Sequence, residues 1–152
     1  MINKNYLLDS KQMANFVSDG FLRFDELIPN ELNKAAHNAM EDRTVQGGSA
    51  GVPFSQVWAQ DSPMRRIFDM PEIQGIIHSM VGSDPLYDHQ AIHIVNAGNH
   101  SGQIWHGDAI IDTRMHFDIQ FFYFAYDTPR EMGGTMILPG SHYRRICETD
   151  IA

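Results

Sequence analysis

The chain has 152 residues, 43% hydrophobic and 20% charged, with a net charge of -8. That length supports one domain with its own core, and the balance argues against a disordered chain. The negative charge argues against DNA, RNA or an anionic membrane as the main partner, because binding phosphate takes clustered Lys and Arg; a small basic pocket for an anionic metabolite stays open. The opening MINKNYLLDS lacks the apolar stretch of a secretory leader, and no apolar run approaches the roughly 20 residues of a membrane span. With Cys147 as the only cysteine there is no internal disulfide, which fits a reducing cytoplasm.

Residues 1–83 read as helical. Asp9 or Ser10 caps a first helix whose Met13, Phe16 and Val17 share one face, and Gly20 ends it. Phe21 to Phe24 is a short strand candidate. Pro29 suits the first turn of a second helix that runs to the neighbourhood of Met40. Thr44 to Pro53, with Gly47, Gly48 and Gly51, reads as a loop. It lacks the Gly-Lys-Ser/Thr ending of a phosphate loop, so it carries no nucleotide role. The wider stretch 44–60, with Trp58, reads either as a lid over substrate or as ordinary surface loop. Ser62-Pro63 opens another helix, Pro71 breaks it, and Glu72 to Val81 resumes before Gly82.

Residues 84–152 favour strands. Tyr87, Ile92, Ile94 and Val95 precede a turn through Asn96, Gly98, Asn99 and Gly102, and Gln103 to Asp108 is the return strand. Ile119 to Tyr126 reads as a strand buried on both faces. Glu131 to Gly134 is a turn, and Thr135 to Leu138 is a further strand ended by Pro139-Gly140. The expectation is a single α+β domain, helices first and antiparallel strands of a jelly roll after them.

Five of the eight histidines, His89, His93, His100, His106 and His116, fall within 28 positions. On a strand, residues i and i+2 point to the same side, so His-x-Asp can bring an imidazole and a carboxylate to one ion. That is two-thirds of the 2-His-1-carboxylate set that holds non-haem Fe(II). The pattern occurs twice, at His106-Gly107-Asp108 and at His116-Phe117-Asp118, and chance alone supplies such tripeptides. Only context separates them.

The context is Trp105-His106-Gly107-Asp108, then the aromatic run Phe121 to Asp127, then Gly133-Gly134-Thr135-Met136-Ile137-Leu138-Pro139-Gly140-Ser141-His142. This order and spacing resemble the phytanoyl-CoA dioxygenase family of Fe(II)/2-oxoglutarate-dependent oxygenases. His116-Phe117-Asp118 lies too close to the aromatic run to fit it. Phe16 to Phe21, followed by Leu27-Ile28-Pro29 and a helix, resembles the family's opening, so the likeness spans Phe16 to His142.

The resemblance implies a jelly roll, Fe(II) as cofactor, 2-oxoglutarate as cosubstrate and hydroxylation of a small-molecule metabolite. It makes His106 and Asp108 metal ligands, with no catalytic residue beyond them. An Asp at this place argues against the related halogenases. His93, Tyr123 and Phe124 become candidates for the cosubstrate pocket. His142 is read as structural, and His37 and His78 as surface or packing residues. Members place a second iron histidine and a cosubstrate-binding arginine well after the His-x-Asp. No histidine follows His142 here, and Arg144 and Arg145 come too early. The jelly roll is therefore expected to be incomplete at its C-terminus, the site being finished by a missing segment or by another copy in a homo-oligomer. Two other readings stay open: a catalytically incomplete jelly-roll binding domain, and a cupin-like metal enzyme without 2-oxoglutarate that uses His93, His106, Asp108 and His142.

Overall fold

The computed structural model describes residues 3–48, 52–87, 90–93, 98, 105–106 and 119–143. Its helices are α1 (Ser10–Asp19), α2 (Asn30–Glu41), α3 (Phe54–Val57), α4 (Pro63–Phe68) and α5 (Pro71–Val81), with 3-10 turns at Lys4–Tyr6, Arg130–Met132 and Ser141–Tyr143. The chain divides into two compact units. One comprises Met1–Leu7, Asp25–Val95 and Phe122–Asp127; the other comprises Leu8–Phe24, Asn96–Phe121 and Thr128–Ala152.

In the first unit the core is small. Leu32 and Ala36 of α2 and Ile67 of α4 are buried together, with Ile28, Met64, Met70 and Tyr123 packed around them. Leu32 and Ala36 stand four apart and so share one helix face. Helix starts follow local chemistry. Ser62 caps α4 by accepting the Arg65 N–H, and Pro63 and Pro71 occupy first-turn positions where a missing N–H costs nothing. Pro29 sits one residue before α2, as its N-cap. Gly75 on α5 lies against the backbone of Tyr6, so any side chain there would strike the Tyr6 carbonyl. α3 falls within a stretch the sequence reads as loop.

An extended segment, residues 122–127, crosses α2. Asn33 holds it with both ends of its amide: Nδ2 donates to the Ala125 carbonyl at 2.6 Å, and Oδ1 accepts from the Tyr123 hydroxyl. Ala125 is buried and Tyr123 half-buried, whereas Phe122, Phe124 and Tyr126 are exposed. This alternation is the period of a strand. Tyr126 also meets the His37 ring edge-on at 5.0 Å.

In the second unit Asp9 caps α1. Its carboxylate accepts the Gln12 N–H at 2.8 Å, and the Gln12 side chain accepts the Asp9 N–H at 2.9 Å. Gly20 ends the helix with φ of +83°. The 140–143 turn is clasped to this helix end. The Gly140 N–H donates to the Asp19 carbonyl at 2.8 Å, and the Val17 carbonyl accepts from the Tyr143 hydroxyl and, at 2.9 Å, from His142 Nε2. A Cβ on Gly20 would collide with the His142 ring.

The jelly roll is overturned. Among the described residues there is no β-strand, only one isolated antiparallel bridge between Gly48 and Gln90. The described chain is helix and coil rather than α+β with a jelly-roll core. An extended segment becomes a strand only when a neighbour supplies donors and acceptors along its backbone. Ile119 to Tyr126, Thr135 to Leu138 and Phe21 to Phe24 have the composition but no such neighbour among the described residues. Nor is 119–126 buried on both faces: Phe122 and Phe124 are 54% and 49% exposed. The expected hairpin through Asn96 to Gly102, with its return strand, lies almost wholly outside the described residues. No helix among them is long and apolar enough to cross a membrane.

Candidate functional site

His106 belongs to the second unit, and it and the neighbouring Trp105 are exposed. Asp108 lies outside the described residues, as do His89, His100, His116 and Asp118. Among the described residues no three His, Cys, Asp or Glu side chains converge as an ion would require. Of the two implied ligands only His106 is among the described residues, short of the set that would hold Fe(II).

The three cosubstrate candidates have different surroundings. His93 is an exposed residue of the first unit. Tyr123 turns toward the α2 core and gives its hydroxyl to Asn33; burial pushes that hydroxyl's pKa up to about 12. Phe124, the next residue, is exposed. Successive side chains of an extended segment face opposite ways, so Tyr123 and Phe124 do not line one pocket from the same side. The His142 ring is spent on the Val17 carbonyl and stacks at 4.0 Å on Tyr143.

A different residue draws attention. Gln90 is 6% exposed, and neither Nε2 nor Oε1 of its amide has a hydrogen-bond partner among the described residues. Each unpaired buried polar atom costs about 1–3 kcal/mol. Its backbone pairs with Gly48 in both directions, Gly48 N–H to Gln90 carbonyl at 2.7 Å and Gln90 N–H to Gly48 carbonyl at 3.3 Å. The Trp58 indole N–H donates to the Gln46 carbonyl at 2.9 Å and pins the same stretch. Gly47 and Gly48 are required by closeness. A Cβ on Gly47 would hit the Gln90 carbonyl, and one on Gly48 would hit the Gln90 side-chain oxygen and Val57. Sequence reasoning passed over Gln90 because a glutamine between histidines carries no motif. The signal that existed was the Gly-Gly pair, whose meaning is close backbone approach.

Compared with known protein families, with curated proteins and with solved structures, the sequence finds no match in any of the three.

Proposed function

We propose that this chain contributes His106 and Asp108 to the iron site of an Fe(II)/2-oxoglutarate-dependent oxygenase that acts on a small-molecule metabolite in the cytoplasm. The observation that carries the reading is the order and spacing of Trp105-His106-Gly107-Asp108, the aromatic run and Gly133 to His142. Support also comes from the clasp of Gly140 and His142 on Asp19 and Val17. It joins two segments that separately carry the family resemblance and lie more than a hundred residues apart. When bound, Fe(II) with 2-oxoglutarate would supply the oxidising power for attack on a C–H bond. His106 would offer a ring nitrogen, and the Asp108 carboxylate would offset part of the metal's charge. Gly107 between them carries no side chain that would keep cosubstrate away. The acidic chain makes nucleic acid an unsuitable substrate.

Calorimetric titration with Fe(II) under anaerobic conditions tests the ligands. The intact chain should bind the ion, and His106→Ala should bind it at least tenfold more weakly, on the order of what loss of even a supporting residue costs a metal site. Equal affinity for both proteins removes His106 from the site and the oxygenase reading with it.

A further inference from the structure

The outer side of the segment that crosses α2 is a surface the iron reading leaves unused. In an extended chain the backbone groups of alternate residues point to opposite edges, as their side chains point to opposite faces. The Ala125 carbonyl is taken by Asn33 of α2, so the edge of Tyr123 and Ala125 belongs to the segment's own helix. The other edge belongs to Phe122 and Phe124. Among the described residues neither of these two has a backbone hydrogen bond, and both rings are about half exposed. Unpaired backbone beside bare apolar side chains is what an edge strand presents, and its complement is another extended backbone.

Charge and symmetry single out a second copy of the same chain as that complement. The stretch from Ile119 to Tyr126 contains no charged residue, so two copies laid antiparallel meet without opposed charges. With the two-fold axis at Tyr123, the flanking Asp127 comes opposite the partner's Ile119 and not opposite the partner's Asp127. The free groups then answer each other. Phe122 exchanges both backbone bonds with the partner's Phe124, and Phe124 does so with the partner's Phe122. The same register sets four phenyl rings in two cross-strand pairs, the unit that stabilises a sheet.

We propose that two copies of this chain associate through the Phe122 and Phe124 edge, as a two-stranded antiparallel ribbon with its two-fold axis between the Tyr123 residues. The area covered is below the roughly 1,200 Å² of a standard interface, so the dimer is weak and forms as concentration rises. Each copy carries a charge of -8, so the copies repel and added salt tightens the dimer. No metal takes part, so the dimer stands or falls separately from the iron ligands.

Sedimentation velocity on the intact chain from about 1 μM to about 1 mM reads the mass, and amide hydrogen exchange at the two ends of that range reads the edge. The expected result is monomer at the low end and dimer at the high end, with more dimer in high salt. At the high end exchange should slow at Phe122 and Phe124 and stay unchanged at Tyr123 and Ala125. Phe122→Lys with Phe124→Lys opposes lysine to lysine in both pairs and should abolish the dimer. Phe122→Glu with Phe124→Lys opposes glutamate to lysine and should associate about tenfold more tightly than the double-lysine chain. Both positions are exposed, so neither double variant should move the melting temperature of dilute protein by more than about 2 °C. Where a variant fails to fold, the exchange pattern of the intact chain decides. A monomer throughout the range overturns the proposal. So does a dimer that the double-lysine chain keeps, since another surface then makes it. Equal association of the two double variants overturns it, and so does slowing at Tyr123 and Ala125 in place of Phe122 and Phe124. Growth beyond the dimer overturns it too, because a two-fold pairing closes on itself.

Discussion

The stretch from Ile28 to Ile77 and the stretch from Phe121 to Leu138 carry similar apolar side chains and treat them oppositely. In the first, Leu32, Ala36, Ile67, Ile76 and Ile77 are buried. In the second, Phe121, Phe122, Phe124, Met136, Ile137 and Leu138 are 47% to 63% exposed, and Ala125 alone is buried. A helix satisfies its own backbone and needs only one neighbour for its apolar stripe. An extended segment needs a neighbour on its edge for hydrogen bonds and another on its face for burial. The helical stretch finds what it needs within itself. Within the aromatic stretch only residues 122–127 find a face, α2, and they are held there by Asn33.

Substitutions can break this contrast. The largest effect is expected at Ile67→Ala, which opens a cavity between α2 and α4. It should cost about 2–4 kcal/mol in urea unfolding. Asn33→Ala should cost about 1–3 kcal/mol, because it strips the Ala125 carbonyl and the Tyr123 hydroxyl of their partner at once. It should also loosen residues 122–127 selectively, seen as faster amide exchange there than in α5.

Gly20→Ala should cost about 1–2 kcal/mol from the left-handed backbone alone, with more from the collision with the His142 ring. In a double-mutant cycle with His142→Ala the two losses should fall short of additive, because removing the ring removes the collision. Additive losses would mean that the ring has room to move aside.

Tyr123 gives a pH signature. Its ionisation is raised in the folded state by burial, from the ordinary 10.0 to about 12. The stabilisation is present in full below pH 10 and is lost as pH rises from there toward 12. The intact chain should lose stability across that window more steeply than Tyr123→Phe, and equal slopes would place the hydroxyl in water. The smallest effect is expected on the outer side of the same segment. Phe124→Ala should stay within about 0.5 kcal/mol. A loss near that of Ile67→Ala would mean that the outer side is covered.

The helices were legible because their signals are local. Asp9, Ser62, Pro63, Pro71 and Gly20 each act within one turn, and each stands at a helix end in the structure. The aromatic run was read as a strand and is not one among the described residues, although Tyr123 and Ala125 turn inward together. Its second buried face was misread, because composition says what a segment could bury and not what lies opposite. Tyr123 as a cosubstrate neighbour came from likeness; its bond to Asn33 depends on a residue 90 positions away, and no spacing rule reaches that far. Gln90 was missed for the same reason. Its significance is burial without a partner, which only tertiary structure reveals. His142 was read as structural from its place in the Pro-Gly-Ser-His ending, and the structure places it on the Val17 carbonyl.

Of the two His-x-Asp sequences, the one at His106 is the one proposed to bind the metal. Mn(II) in place of Fe(II) measures this directly, because it broadens NMR signals of nearby nuclei. Broadening centred on the rings of His106 and Trp105, with His116 spared and the effect abolished in Asp108→Ala, is the result expected. Broadening centred on His116, or spread evenly over the acidic surface, would contradict it.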